Sequence, residues 1–218
     1  MKVLPMRVTV APSILAGDLI DLRSSVVQIR ESGARWLHID VMDGYFVPNL
    51  AFGPQMVRAL ANCKGDLFFD IHLMVDHPEY FVEKFAEAGA DLISIHVESR
   101  CDIASMLRAI RSFGKQAGLA VNPETAVEAI FPHLDSVDLA LVMGVHPGFC
   151  GQKFVKSSLE KIKIIRRNNT AIKIEVDGGV HLGNARLCVQ SGADVLVVGT
   201  SFFRASDQQE FIKQIEYE

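Results

Sequence analysis

Two histidines and two aspartates stand at the ends of apolar segments that are typical of β-strands. His38 and Asp40 end one such segment, His72 lies near the end of the next, and Asp177 ends a later one. Residues two apart on a strand point to the same face, so His38 and Asp40 can approach one ion. Imidazole nitrogens and carboxylate oxygens are ligands for divalent metal ions. The four residues therefore predict a metal site, with Asp40 and Asp177 as candidates for proton transfer.

Each of these residues also has a plainer interpretation. A single histidine such as His72 is more often a hydrogen-bonded core or surface residue. A single Asp177 before Gly178-Gly179 is more often a turn residue. The occurrence of all four at strand ends favours the metal site. A metal with paired carboxylates indicates chemistry beside a carbonyl group rather than a binding module.

Three glycine-containing segments follow the last three predicted strands. They are Pro147-Gly148-Phe149-Cys150-Gly151, Gly178-Gly179 and Gly199-Thr200-Ser201. Glycine lets backbone amides approach phosphate oxygens, and the last segment adds two hydroxyl groups. In strand–helix barrels the loops after the last strands commonly form a phosphate site. These segments therefore predict a phosphate-bearing ligand.

The elements that must position these residues alternate between strand and helix. The predicted strands are 7–14, 35–40, 66–73, 92–96, 114–121, 137–143, 171–176 and 195–198, and the predicted helices are 18–31, 53–60, 78–88, 102–113, 125–131, 154–168, 182–190 and 206–215. The first helix is expected to bury Leu19, Leu22, Val26 and Ile29. Eight such units predict an α/β fold, a (βα)8 TIM barrel, with residues 1–218 as one domain. An open doubly wound sheet is the alternative.

Composition excludes several classes of protein. Hydrophobic residues make up 49% of the chain, which is enough for a large core. The net charge of -4 gives no reason to expect nucleic-acid binding, and no apolar run approaches the roughly 18 residues of a membrane span. Residues 8–17, behind Lys2 and Arg7, resemble a signal-peptide core, but Pro12 interrupts it and charged residues follow at once, so a first barrel strand explains the segment better. Four scattered cysteines without a CxxC pair indicate reduced thiols and a cytoplasmic protein.

Other polar residues near the strand ends leave alternatives open. Asp43 is expected to shape its loop as part of an Asp-Gly turn. Asp70 lies two positions before His72 and either supports that histidine or has a structural role. His96 and Glu98 close the fourth strand, where they either touch the substrate or support residues that do.

Methionines and one cysteine surround the predicted site. Met42, Met74 and Met143 each lie just beyond a strand, which predicts an apolar collar that excludes water. Cys150 lies in a glycine-rich loop with no histidine arrangement beside it. We therefore expect a tolerated small residue at this position rather than a nucleophile.

Taken together, the chain resembles the ribulose-phosphate 3-epimerase family. The resemblance covers nearly the whole chain, through APSILAGD, LHIDVMDGYFVPNLAFGP, DIHLMVDHPEYFVEKFAEAGAD, HPGFCGQKF and IEVDGGV. It implies a (βα)8 barrel of the ribulose-phosphate-binding type and one divalent ion, zinc, iron or manganese. It also implies metal ligation by His38, Asp40, His72 and Asp177, with Asp40 and Asp177 as the two acid–base residues.

The resemblance further implies a substrate and a reaction. The substrate-binding positions that it carries over are Ser13, His72, Gly148, Phe149, Cys150, Gly151, Gly178, Gly179, Gly199 and Thr200. The implied reaction interconverts D-ribulose 5-phosphate and D-xylulose 5-phosphate by two-base proton transfer at C3 through an enediolate. A sugar phosphate is thus the expected partner, without nucleic acid or membrane, and a homo-oligomer is expected.

The chain departs from the family pattern in the loop after the sixth predicted strand. Gly144, His146 and Cys150 stand where the family commonly has Ser, Asn and Gly. These departures leave open a 3-epimerase of a ketohexose 6-phosphate such as D-allulose 6-phosphate. A metal-independent decarboxylase or aldolase would need a strand-end lysine, and none follows Asp40. A silent sugar-phosphate-binding barrel would be expected to have lost the acids or the ligands.

Overall fold

Eight parallel strands form a ring around a packed interior. The computed structural model describes residues 8–216, and its strands are β1 (Thr9–Pro12), β2 (Trp36–Asp43), β3 (Leu50–Ala51), β4 (Phe68–Met74), β5 (Leu92–His96), β6 (Gln116–Val121), β7 (Leu139–Met143), β8 (Lys173–Asp177) and β9 (Val195–Val198). The order is β1-β9-β8-β7-β6-β5-β4-β2, with the short β3 antiparallel to the end of β2. A parallel bridge between Ser13 and His38 brings β1 beside β2. The predicted TIM barrel is therefore confirmed, and the open sheet is rejected.

Helices cover the outside of the ring. They are α1 (Leu22–Glu31), α2 (Pro54–Ala61), α3 (Val82–Ala88), α4 (Ile103–Ser112), α5 (Ser158–Asn168), α6 (Leu182–Ser191), α7 (Thr200–Phe203) and α8 (Gln208–Glu216), with 3-10 segments at Ile14–Ala16, Pro78–Tyr80 and Val127–Ser136. Among the described residues, no helix is both long and apolar enough to cross a membrane.

Alternation along β2 separates an outer core from the barrel interior. Leu37 and Ile39 face outward into a core that also contains helix residues such as Val26. Trp36 faces inward, where it stacks on Phe68 of β4 with ring centroids 4.4 Å apart. His38 and Asp40 follow on the same inward face. The interior therefore changes from apolar to polar toward the carboxyl ends of the strands.

The structure differs from the predicted elements in several places. The predicted helix at 78–88 is a 3-10 segment followed by α3, the predicted helix at 154–168 begins at Ser158, and β3 and α7 were not predicted. Helix α1 begins at Leu22 rather than residue 18, because the Asp21 side chain caps it by accepting a hydrogen bond from the backbone N–H of Ser24. Leu19 precedes the helix and is 59% exposed, so its predicted burial is wrong.

The fifth unit carries a 3-10 helix, Val127–Ser136, in place of the predicted helix at 125–131. Pro132 lies within it and lacks the N–H that an α-helix needs. The strands begin or end within a few residues of their predicted positions. Lys2 and Arg7, which entered the signal-peptide comparison and the first predicted strand, lie outside the described residues.

Candidate active site

Four side chains converge at the carboxyl end of the barrel. His38, Asp40, His72 and Asp177 each offer one nitrogen or oxygen atom, and these atoms lie within 4.8 Å of one another. The parallel register of β2 and β4 sets Asp40 opposite His72, and β8 brings in Asp177 at its last residue. The structure thus brings together all four residues that the sequence nominated as metal ligands.

The facing atoms form a compact donor set. Oδ1 of Asp40 lies 3.2 Å from Nε2 of His38 and 3.2 Å from Nδ1 of His72. Oδ2 of Asp177 lies 3.9 Å from the same nitrogen of His38 and 3.6 Å from that of His72. Two imidazoles and two carboxylates suit zinc, iron or manganese. The residues therefore fit the divalent ion that the resemblance implies.

The other ring nitrogen of His38 is held by a buried carboxylate. Nδ1 lies 2.6 Å from Oδ2 of Asp70 and 3.5 Å from Oε1 of Glu175. Sequence spacing suggested His72 as the partner of Asp70, but the strand register sets Asp70 opposite His38. Metal-ligating histidines usually make such a second contact, which fixes ring orientation and tautomer. Asp70 therefore supports His38 rather than His72.

Burial and charge give the two histidines different protonation states. Burial lowers the pKa of His72 to about 4, so this ring is neutral and keeps a lone pair near pH 7. Burial also acts to lower the pKa of His38, but the carboxylates of Asp70 and Asp40 outweigh it and raise the pKa well above its ordinary value. A cation in the site would therefore displace a proton from His38.

The two candidate acid–base residues also differ. Burial raises the pKa of Asp177 to about 7, and the charge of Asp40 adds to the rise. Burial would raise the pKa of Asp40 too, but His38 and His72 outweigh it and hold that pKa well below its usual range. Asp40 is thus ionised near neutral pH, where Asp177 exchanges between its protonated and ionised forms. A general base and a general acid need this division.

A cavity of about 520 Å³ opens above the four residues. Asp40 and Asp177 line it, whereas His38 and His72 are fully buried beneath. Its walls include the other predicted substrate-binding residues Ser13, Gly148, Phe149, Cys150, Gly151, Gly178, Gly179, Gly199 and Thr200. The volume suits a small ligand.

The glycine-rich end of the cavity requires glycine for steric reasons. Gly179 has φ +70°, and a Cβ there would lie 2.8 Å from the backbone N of Phe154. The first turn of α7 begins at Thr200, beside these backbone groups. Arg204, one turn later, is the only lysine or arginine among the described residues that line the cavity. Sequence reasoning missed Arg204, whose only signal is its i+4 spacing from Thr200.

The loops over the cavity are tied together by hydrogen bonds. Asn49 donates from Nδ2 to the carbonyl oxygen of Gly148 at 2.8 Å, which joins the loop after β2 to the loop after β7. Gln152 donates from Nε2 to the carbonyl oxygens of His146 and Phe149, at 2.6 and 3.0 Å. These bonds fix the loop after β7, whose Gly148, Phe149 and Gln152 line the cavity together with the two aspartates.

The predicted apolar collar and the Asp43 loop are present in the structure. Met42, Met74 and Met143 are buried and line the cavity. Oδ1 of Asp43 accepts hydrogen bonds from the backbone N–H groups of Tyr45 and Phe46 at 2.8 Å each. Asp43 therefore shapes its loop, as expected.

Cys150 is exposed but poorly suited to nucleophilic chemistry. Desolvation raises the pKa of its thiol to about 11, and the charges of Asp40 and Asp177 act in the same direction. A thiolate is therefore scarce at neutral pH. This supports the expectation that Cys150 is not a nucleophile.

His96 and Glu98 do not line the cavity. His96 is fully buried, with Nε2 2.8 Å from Nε2 of His72 and Nδ1 3.0 Å from Oε2 of Glu98. Of the two roles left open by the sequence, the structure favours support of a site residue over contact with substrate.

Comparison with known proteins identifies the family of this chain. A family model described as the ribulose-phosphate 3 epimerase family matches residues 9–203. The ribulose-phosphate 3-epimerase of Chlamydia muridarum is 45% identical over 203 residues, covering 90% of this chain and 89% of that protein. The enzyme of the same name from Bacillus subtilis is 41% identical over 213 residues, covering 95% of this chain and 98% of that protein.

Solved structures with low sequence identity to this chain show a similarity of fold only. The 3-keto-L-gulonate-6-phosphate decarboxylase of Vibrio cholerae O1 matches with a TM-score of 0.72 at 12% identity, covering 96% of this chain and 95% of that one. The orotidine 5'-phosphate decarboxylase of Pyrococcus horikoshii matches with a TM-score of 0.69 at 16% identity, covering 95% and 99%. The family match and the sequence relatives go further than this shared barrel, and they establish that the chain belongs to the ribulose-phosphate 3-epimerase family.

Proposed function

We propose that this chain is a metal-dependent 3-epimerase that interconverts D-ribulose 5-phosphate and D-xylulose 5-phosphate. The observation that carries the proposal is the pair Asp40 and Asp177, which line one cavity from separate strands and differ in protonation. Epimerisation at a carbon beside a carbonyl requires a base on one face and an acid on the other.

The two aspartates would perform the proton transfers. Ionised Asp40 removes the proton from C3 on one face of the substrate, and protonated Asp177 returns a proton to the opposite face. The intermediate is an enediolate, and the roles exchange in the reverse direction. A bound divalent ion, held by His38, Asp40, His72 and Asp177, would supply Lewis acidity that stabilises the negative charge of this intermediate. Because the acids are close, they titrate as a pair.

The remaining cavity residues would bind and orient the sugar phosphate. Backbone amides around Gly178, Gly179 and Gly199 and the hydroxyl of Thr200 suit the phosphate group. The buried methionines Met42, Met74 and Met143 exclude water from the aspartates. Substrate contacts by Ser13 and by the loop from Gly148 to Gly151 remain part of this proposal.

The pentulose phosphate is favoured over a ketohexose 6-phosphate. Relatives that are 41 to 45% identical and span most of the chain carry the name ribulose-phosphate 3-epimerase. The departures at Gly144, His146 and Cys150 lie in one loop and leave the four proposed ligands unchanged.

A substrate panel in deuterated water tests the proposal. The purified protein is assayed with D-ribulose 5-phosphate and D-allulose 6-phosphate, and its metal content is measured on the same preparation. We expect faster turnover of the pentulose phosphate, with deuterium at C3 of the product and one equivalent of zinc, iron or manganese. Product without deuterium would contradict the two-base mechanism, and faster turnover of the hexulose phosphate would contradict the substrate.

We also propose that residues 1–218 form one domain and that the enzyme is a cytoplasmic homo-oligomer. All four cysteines are free, which suits a reducing compartment. Leu50 in β3 and Tyr45 in the loop before it are 75% and 88% exposed, which supports self-association through this segment. Light scattering on wild type and Leu50→Glu tests this: we expect an oligomer that the substitution weakens, and a monomeric wild type would contradict it.

A further inference from the structure

A polar relay of three hydrogen-bonded side chains, His72, His96 and Glu98, runs away from the cavity. Nδ1 of His72 faces the carboxylates of Asp40 and Asp177, while its Nε2 lies 2.8 Å from Nε2 of His96. Nδ1 of His96 in turn lies 3.0 Å from Oε2 of Glu98. The two rings stack, with centroids 4.9 Å apart and planes 27° apart.

When His72 ligates a cation through Nδ1, only one placement of the protons on His72 and His96 satisfies all the hydrogen bonds of this relay. Nδ1 of His72 must then carry a lone pair, so the proton of the neutral ring is on Nε2. That N–H donates to His96, whose Nε2 must therefore be the acceptor. The proton of His96 is then on Nδ1 and is donated to Glu98.

Glu98 is the acceptor at the end of the relay, and its carboxylate is held in place. Its Oε1 accepts a hydrogen bond from the backbone N–H of Asn122 at 2.9 Å, so both carboxylate oxygens are engaged. Burial would raise the pKa of Glu98, but the hydrogen bond from His96 and others outweigh it and lower that pKa. Lys161 fixes the Asn122 segment by donating to the carbonyl oxygens of Asn122 and Thr125 at 2.6 Å each.

We propose that His96 and Glu98 are positioning residues that set the tautomer of His72, so that its Nδ1 lone pair faces the metal site. His96 is fully buried and absent from the cavity wall, and Phe46 covers it with ring centroids 4.6 Å apart. His96 therefore acts through His72 and not on the substrate. The inference rests on the proposed function, because it concerns the metal site of that reaction.

The first test reads the tautomers directly. Imidazole ¹⁵N shifts of the zinc-loaded full-length protein are expected to show His72 protonated at Nε2 and His96 protonated at Nδ1. A proton on Nε2 of His96 would overturn the proposal without any variant being needed.

Glu98→Gln tests the same relay by exchanging the donor and the acceptor in each of its hydrogen bonds. If the amide oxygen keeps the bond to Asn122, the amide nitrogen faces His96 and donates to its Nδ1. His96 must then donate from Nε2, which moves the proton of His72 to Nδ1 and removes the lone pair. Zinc affinity, measured by competition with a chromophoric chelator, is expected to fall about 10- to 100-fold.

A second histidine–glutamate pair elsewhere in the protein provides a matched control for Glu98→Gln. His77 and Glu79 form another histidine–glutamate pair two residues apart, with Nδ1 3.0 Å from Oε1, in an exposed position. Glu79→Gln is expected to leave zinc affinity unchanged. Equal affinities of Glu98→Gln and wild type would overturn the proposal, whereas a wild type that binds no zinc would instead contradict the proposed metal-dependent function.

A second pair of variants keeps the test decisive if Glu98→Gln does not fold. His96→Gln can accept from His72 with its carbonyl oxygen and donate to Glu98 with its amide group. It is expected to retain zinc affinity within a few-fold, whereas His96→Leu loses about 10-fold or more. Equal zinc affinities of these two variants would overturn the proposal.

Discussion

Ser13 donates a hydrogen bond of 2.7 Å from its Oγ to Oδ2 of Asp40. This is the Asp40 oxygen that does not face the imidazoles, since Oδ1 makes the contacts to His38 and His72. The resemblance implied a substrate contact for Ser13. The structure shows that its hydroxyl also orients the proposed base and stabilises its negative charge.

Replacing Ser13 by alanine is expected to lower kcat about 10- to 100-fold, because a hydrogen bond to a charged group contributes about 1.5–3 kcal/mol. Steady-state kinetics at neutral pH, where Asp40 is ionised with or without this hydrogen bond, measure the loss. Ser24→Ala, in the exposed first turn of α1, is the control, and an unchanged kcat in Ser13→Ala would contradict the role.

Asp177→Asn is expected to abolish turnover while keeping the fold. The amide matches the neutral form of the carboxyl group but cannot exchange a proton with C3, so kcat should fall about 10²- to 10⁴-fold. At pH 8 the metal-free variant should melt at or above the wild-type temperature, because the buried group no longer ionises. Activity assays and thermal melts check these outcomes, and substantial residual turnover would remove Asp177 from the mechanism.

The raised pKa of Asp177 predicts how the metal-free protein responds to pH. Between its unfolded value of 3.8 and its folded value of about 7, the folded state binds more protons than the unfolded state. The contribution of Asp177 to stability is therefore present below pH 4 and is lost as the pH rises to 7. A divalent ion favours the ionised form of this group, so its stabilising effect should increase over the same range.

Thermal melts of chelator-treated and zinc-loaded protein between pH 5.5 and 8 measure this linkage. We expect the difference in Tm between the two forms to grow with pH, and calorimetry should detect proton release on zinc binding. Asp177→Asn provides the control, in which the pH dependence of the Tm difference should be smaller. A difference that is constant with pH would contradict the assignment of Asp177 as a ligand.

Gly144 tests the departure from the family loop pattern. A Cβ at this position would overlap the carbonyl oxygen of Gly178 and lie 2.8 Å from Cε2 of Phe154. Restoring the serine common in the family is therefore expected to destabilise this chain by about 1–3 kcal/mol. Denaturant unfolding measures the loss.

Gly53→Ser is the matched control for this substitution. Gly53 is the N-cap of α2, and no atom lies within 4 Å of an added Cβ. Serine is favoured at N-caps, so this variant should be neutral or slightly more stable. Equal stabilities of Gly144→Ser and Gly53→Ser would show that the loop relaxes around the added side chain.

Sequence patterns predicted the fold and the residues at its centre because both depend on local order. The bounds of β5 and β9 match the predicted 92–96 and 195–198, since short apolar runs there follow Gly-Ala-Asp segments. The metal-ligand candidates were identifiable because strand ends meet at one face of a barrel. The 3-10 helix around Pro132 was missed because the apolar pattern alone does not distinguish it from an α-helix.

Partners across strands could not be read from the sequence in the same way. Asp70 supports His38 because β2 and β4 pair in one particular register, which no local pattern specifies. The contact of His96 with His72 likewise depends on how β4 and β5 lie side by side. Glu175 is buried beside His38, but in the sequence it looks like any other polar residue within a strand, so this contact could not be predicted.

The bridge between Ser13 and His38 has a consequence for how the ring opens. Within residues 8–216, β1 and β2 meet through this single bridge, whereas β2 and β4 share seven registered pairs. The strand pair with the fewest backbone pairings thus lies at the proposed catalytic centre, and the Ser13–Asp40 hydrogen bond connects its two strands. Removal of a bound metal ion is therefore expected to be coupled to local separation of β1 from β2. Chelation would first increase the opening of this strand pair and only later destabilise the rest of the barrel.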